Sequence, residues 1–177
     1  MEAQHIEHTL EPIFDERSHV LVLGTMPSPK SREVGFYYGH PQNRFWRVME
    51  ALFELPSHSL VENNARRAFL LKQHIALWDV LASCTIEGAA DASIVDAIPN
   101  DLTRIFGTAP ITHVFTTGGK ATQLCQRMDG EVLSARNIPL TGLPSTSAAN
   151  ARVRLDQLVE AYRPIVHAVT AGNCHAK

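Results

Sequence analysis

The chain has 177 residues, 45% of them hydrophobic and 19% charged, the balance of one ordinary globular domain long enough to bury a full core. No apolar run reaches the roughly 20 residues that a membrane span needs, and the acidic, polar N-terminus is not expected to act as a signal peptide. The net charge of −2 excludes a polycation, and three cysteines (Cys84, Cys125, Cys174) without C-x-x-C spacing fit reduced thiols in a cytoplasm better than a disulfide framework or a four-cysteine cluster.

Residues 1–18 read as a polar lead-in from which Leu10, Ile13 and Phe14 tuck against the first strand, residues 19–24. The β-formers Val20 to Leu23 stop at Gly24, and Pro27 and Pro29 then bar both helix and ladder. Such a strand delivers a loop to the carboxyl edge of a parallel sheet, where open α/β folds place ligands. Phe45, Val48, Met49, Leu52 and Phe53 recur at helical spacing, which predicts a helix over 43–54, broken by Leu55-Pro56-Ser57. Asn63 or Asn64 is expected to cap a second helix, 65–73, with Arg66, Arg67 and Lys72 on its exposed face.

Residues 75–80 read as a second strand, and 81–96, with Gly88 and Asp91, as an irregular crossover. Pro99-Asn100-Asp101 opens a third helix that Gly107 closes. Strand 111–116 turns through Gly118-Gly119 into a helix over 120–128, and Asn137 to Leu140 forms a short fourth strand. The loop Leu143-Pro144-Ser145-Thr146-Ser147-Ala148-Ala149-Asn150 precedes a last helix, 151–163, ended by Pro164, with a frayed tail from 170 to 177. Strands alternating with helices call for a three-layer α/β/α sandwich on a mostly parallel four-stranded sheet, as one domain with its core over about 10–165.

Charge is unevenly spread. Residues 1–29 carry −4 and 73–149 carry −3, whereas 30–72 carry +3 and 150–177 carry +2. The positive windows follow the two loops rich in special chemistry, as a phosphate-facing side would. Thr117-Gly118-Gly119-Lys120 imitates a phosphate loop, but position 114 is Val where that motif needs Gly, so it reads as a tight turn. The nine histidines show no H-x-x-x-H or H-E-x-x-H spacing, and no metal site is expected. No G-x-S-x-G elbow surrounds Ser145 or Ser147, so neither reads as a nucleophile. Ser147 or Asn150 is expected to cap the last helix. Phe36, Tyr37 and Tyr38 exceed what one strand end needs for packing, and one is expected to face a flat heterocycle.

Two stretches, Gly24-Thr25-Met26-Pro27-Ser28-Pro29-Lys30-Ser31 with Phe36-Tyr37-Tyr38-Gly39-His40-Pro41-Gln42-Asn43-Arg44-Phe45-Trp46, and Leu143-Pro144-Ser145, together resemble the uracil-DNA glycosylase superfamily. Within it they look like the hypoxanthine (deoxyinosine) branch, family 6. The resemblance spans roughly residues 10 to 165 and implies a repair enzyme that flips a deaminated base out of DNA and hydrolyses its N-glycosidic bond. It departs at Thr25, where most relatives carry Asn or Asp to position water, and at Leu143, where His or Asn is common. The resemblance then puts Asn43 in the catalytic role, with His40 as a donor to the leaving base.

By the same resemblance Tyr38 stacks on the base, with Phe36 or Tyr37 in reserve, and Gly24, Thr25, Met26, Pro27 and Ser145 complete the pocket. Ser28, Lys30, Ser31, Arg32, Arg44, Pro144, Thr146, Ser147, Asn150 and Arg152 are expected to contact DNA, Lys30, Arg32, Arg44 and Arg152 through phosphates. With no Schiff-base lysine evident, the expectation is a monofunctional enzyme that leaves an abasic site. It is expected to act as a monomer, without cofactor, metal, iron-sulfur cluster or membrane partner, in a cytoplasm, on a nucleoid. The alternatives are a uracil or mismatch-uracil glycosylase, a DNA-binding protein without turnover, and a hydrolase of free nucleosides.

Overall fold

Two sheets organise the residues described by the computed structural model, 2–88 and 90–175. The strands are β1 (Ala3–Glu7), β2 (Val20–Gly24), β3 (Ile75–Asp79), β4 (Leu81–Glu87), β5 (Val95–Pro99), β6 (His113–Thr117) and β7 (Leu140–Leu143). The helices are α1 (Pro29–Val34), α2 (Phe45–Leu52), α3 (Asn63–Lys72), α4 (Thr103–Phe106), α5 (Gly119–Ala135) and α6 (Leu155–His175). The main sheet runs β3-β2-β6-β7, all parallel, with Gly24 beside Asp79 and Val114 beside Leu140.

Every residue of β2 and β3 is buried, as expected for parallel strands with both faces covered by helices. From β2 the chain goes to β3 on one side and then returns to β6 on the other. That reversal opens a crevice between the carboxyl ends of β2 and β6, the usual ligand position in open α/β sheets. Helix α2 buries Phe45, Trp46, Val48 and Met49 and packs on α6, while α5 packs on β6 and β7.

Residues 81–99, expected as an irregular crossover, instead form two strands of a second sheet. Its order is β1-β4-β5, antiparallel throughout, so the polar lead-in also contributes a strand. Only Val80 separates β3 from β4, and its N–H bonds Gly24 O at 2.9 Å, followed by Leu81 N to Thr25 O at 3.1 Å. The second sheet therefore starts at the carboxyl edge of the first and reaches the crevice.

Other expectations shift for local reasons. The loop after β2 holds α1, because proline at a first helical position lacks only an N–H that would be unpaired anyway, and Ser28 caps it. Helix α3 starts at Asn63 itself, with no side-chain cap. Pro99 ends β5, and Asp101 Oδ1 accepts from Thr103 N at 3.0 Å to start α4. Helix α5 runs on to Ala135 and β7 begins only at Leu140. Helix α6 starts at Leu155 and passes through Pro164 to His175.

The tail expected to fray is thus helical up to His175, and residues 176–177 lie outside the described ones. Packing explains this. His19, next to β2, bonds Val169 O through Nε2 at 3.0 Å, and a Cβ on Gly172 would lie 2.1 Å from its ring. Glycine there lets the helix end close on the sheet.

Candidate active site

A cavity of about 360 Å³ occupies the crevice between β2 and β6. The loop after β2 lines it from Gly24 to Pro29, joined by Tyr38, Asn43, Thr117 and the Ser145–Ser147 turn. Asp79, at the end of β3, and Asp91, from the second sheet, complete the wall. Two carboxyl groups, two amide or hydroxyl-rich turns and two tyrosines thus share one space.

Tyr38 is held on three sides of its chemistry. Its backbone takes φ 51°, in the left-handed region, which turns the ring back over α2. The ring stacks on Phe45 with centroids 3.9 Å apart and 12° between planes. Its hydroxyl sits 2.8 Å from Thr117 Oγ1. Burial, with Asp79 nearby, pushes the phenol well above its ordinary range, so it stays neutral.

Asn43 is tied by its oxygen. Oδ1 accepts from Phe45 N at 2.9 Å, closing the first turn of α2, and from Thr146 Oγ1 at 2.8 Å. A backbone N–H can only donate, so these bonds determine which side-chain atom is oxygen. The amide nitrogen Nδ2 is what Asn43 can still offer to a ligand, as a donor.

The second loop is braced from within. Arg44 donates to the carbonyls of Ser147 at 3.0 Å, Asn150 at 2.9 Å and Val153, while Asn150 Nδ2 donates to Ser145 O at 2.8 Å. Tyr162 supports the start of the loop through Pro144 O at 2.7 Å. Ser147 and Asn150 therefore stabilise this loop instead of capping α6, and Arg44 serves protein carbonyls. A Cβ on Gly118 would come 3.3 Å from Ser145 Cβ, so the β6 turn and this loop are in close contact.

Not all expected residues meet in the cavity. Gly24, Thr25, Met26, Pro27, Ser28, Ser31, Arg32, Tyr37, Tyr38, Asn43, Ser145, Thr146 and Ser147 line it. Phe36 is core, its ring 5.8 Å from that of Trp46, and does not line the space. Tyr37 is mostly buried, its hydroxyl donating to Glu11 O at 2.8 Å. His40 is exposed outside the lining, its Nδ1 accepting from Gln42 N at 3.1 Å. Lys30 pairs with Glu33 at 2.7 Å, Arg32 donates to Pro27 O at 2.8 Å, and Arg152 is exposed.

Asp79 and Asp91 are the additions. Asp79 Oδ2 meets His8 Nε2 at 2.8 Å in a buried pair, a contact that depends on the lead-in folding as β1 and beyond. Asp91 lies on a turn between β4 and β5, and Thr25 Oγ1 donates to its Oδ2 at 3.1 Å. Burial first, and Asp79 second, push the Asp91 carboxyl above its ordinary range. The sequence signal for Asp91 was slight: two short β-rich runs around Gly88 and a polar turn. No group of three metal-ligating side chains occurs among the described residues, and no helix is long and apolar enough to cross a membrane.

Fold and cavity define an α/β domain with a ligand cleft at the reversal of its parallel sheet. The family described as Uracil DNA glycosylase superfamily matches residues 11–166. A hypoxanthine DNA glycosylase from Methanosarcina barkeri is 32% identical over 144 residues, 80% of this chain and 86% of the relative. One from Methanosarcina acetivorans is 30% identical over 156 residues, 83% and 90% of the two chains. The solution NMR structure of a candidate uracil DNA glycosylase from Methanosarcina acetivorans matches with a TM-score of 0.74 at 26% identity, over 93% of this chain and 100% of that one. The chain belongs to the uracil DNA glycosylase superfamily.

Proposed function

We propose that this DNA glycosylase excises hypoxanthine from deoxyinosine in DNA, hydrolysing the N-glycosidic bond and leaving an abasic site. The observation that carries this reading is the geometry of Asn43. Its oxygen is engaged twice, so it meets the base as a donor from Nδ2, which suits the O6 and N7 acceptors of hypoxanthine. A cavity of about 360 Å³ has room for a flat bicyclic base beside the Tyr38 ring. Leu143 is apolar, buried and outside the lining, so it offers no contact to a pyrimidine carbonyl. The two relatives named hypoxanthine DNA glycosylases support the same substrate.

The base must leave the duplex to be reached, at about a few kcal/mol, least for a weak or mismatched pair. Tyr38, backed by Phe45, forms a rigid wall for it. The C1′–N9 bond breaks through an oxocarbenium-like sugar, and fixed donors such as Asn43 Nδ2 stabilise the anionic leaving base. Lys30, Arg32 and Arg152 are the candidate phosphate contacts, because Arg44 is committed to the second loop.

The test is alkali-revealed strand cleavage of labelled oligonucleotides holding one hypoxanthine, uracil, xanthine or normal base, single-stranded and in each pairing. Cleavage at hypoxanthine well above the others is expected. Cleavage mainly at uracil would transfer the protein to the uracil-excising reading, and DNA binding without cleavage at any base would leave a binder.

A further inference from the structure

Hydrolysis needs an acceptor for a proton of the attacking water, close to where C1′ will lie. Acceptors around the cavity are mostly occupied. Asn43 Oδ1 holds two donors, Ser145 Oγ accepts from Ser147 N at 3.2 Å, and the Tyr38 and Thr117 hydroxyls bond each other. Asp79 holds His8, and its Oδ1 lies where a Gly24 side chain would begin, 2.3 Å from a Cβ built there. Asp91 is also engaged through one oxygen, Oδ2 by Thr25, but it lacks the imidazole partner that holds Asp79.

Thr25 stands one residue after the strand-ending Gly24 and lines the cavity. Its hydroxyl donates to a carboxylate that comes from 66 residues along the chain, on the second sheet. The turn that presents this carboxylate is well braced. Ser93 Oγ accepts from Glu87 N at 2.9 Å and donates to Ala90 O at 2.7 Å, and Ser93 N donates to Ala90 O at 2.8 Å. A loop so pinned can hold a catalytic group in register.

We propose that Asp91 is the catalytic base of this enzyme, binding the attacking water through its carboxylate while Thr25 orients that carboxylate. The proposal rests on the glycosylase reading above but not on which base is removed. As the water oxygen bonds to C1′, one water proton passes to Asp91 and the electron pair of the N-glycosidic bond leaves with the base, which takes up a proton from solvent. Asp91 then releases its proton to solvent, and the products are the free base and a C1′-hydroxyl sugar. Charged and titratable groups face Asp91 from every neighbouring element. Asp79 with His8 comes from β3 and the lead-in, Cys84 from β4, Arg32 from α1 and Lys120 from α5. Burial and Asp79 disfavour its ionised form, whereas the Thr25 hydrogen bond and Lys120 favour it, so activity rises with pH as the carboxylate forms.

The experiment is single-turnover excision by wild type, Asp91→Asn and Thr25→Val across pH 5 to 9, on whichever base the wild type removes. Affinity for an uncleavable lesion oligonucleotide and thermal unfolding are measured alongside. Asp91→Asn is expected to lose about 100-fold or more in rate and to lose the rising pH limb, with affinity and unfolding midpoint near wild type. Thr25→Val is expected to slow about 10-fold while keeping that limb. Formate added to Asp91→Gly should restore part of the rate, which a merely structural role would not allow.

A rate for Asp91→Asn within about threefold of wild type would overturn the proposal, as would a slow Asp91→Asn that keeps the wild-type pH profile with no formate rescue of Asp91→Gly. If the wild type cleaves uracil and Asp91→Asn does not, the hypoxanthine reading fails and the base assignment stands. If the wild type cleaves nothing, both fall.

Discussion

Asn43 Oδ1 accepts the Thr146 hydroxyl at 2.8 Å, joining two loops 103 residues apart in the chain. The same oxygen closes the first turn of α2 through Phe45 N. One side-chain atom therefore has a structural task, which leaves its neighbour, Nδ2, for the chemistry proposed above.

That division predicts different outcomes for two substitutions. Asn43→Asp keeps the acceptor and removes the donor, so unfolding should stay close to wild type while single-turnover excision falls about 100-fold. Asn43→Ala should lose both, adding about 1 kcal/mol of destabilisation from the missing hydrogen bonds to Phe45 N and Thr146. Urea midpoints measured beside excision rates separate the two effects.

Gly24 is where strand, carboxylate and aromatic wall converge. A Cβ there would lie 2.3 Å from Asp79 Oδ1 and 3.2 Å from the Tyr38 hydroxyl. Asp79 cannot swing aside freely because His8 holds its other oxygen. Gly24→Ala should therefore cost about 1–3 kcal/mol by overpacking and lower excision as well. A urea midpoint unchanged from wild type would contradict this geometry.

Arg44 and Arg152 should behave oppositely in salt titrations. Arg152 is exposed, and if it meets a phosphate, Arg152→Ala should reduce the salt slope of DNA binding by about one. Arg44 bonds the carbonyls of Ser147, Asn150 and Val153. Arg44→Met should leave the slope unchanged but speed hydrogen exchange across 144–153, at a cost of about 1.5–3 kcal/mol in stability.

Away from the cleft, burial and the nearby Asp101 push the Asp129 carboxyl up to about 6, and its Oδ2 is buried with no hydrogen-bond partner among the described residues. Its ordinary value is 3.8, so folding favours the protonated form. The native state gains nothing from this group below about pH 4 and is increasingly penalised as pH rises through 6. Asp129→Asn should raise stability by on the order of 1 kcal/mol at pH 7.5, and the gain should vanish below pH 4. Denaturant unfolding at the two pH values tests the sign.

Local chemistry made much of this molecule readable from the chain alone. The apolar run Val20 to Leu23 ended by Gly24, and the helical spacing of Phe45, Val48 and Met49, specify their elements through short-range periodicity. The same applies to the parallel sheet, and to the concentration of pocket residues around Gly24, Tyr38, Asn43 and Ser145. Tertiary structure decided what depends on partners distant in sequence. Residues 81–99 became strands only because β1 pairs with β4, and α6 ran past Pro164 because Gly172 could close on His19. It also directed Phe36 to the core and Arg44 to the loop carbonyls. Asp91 reached Thr25 in the same way. A carboxylate's role depends on what stands about 3 Å from it, and no local pattern in the chain encodes that distance.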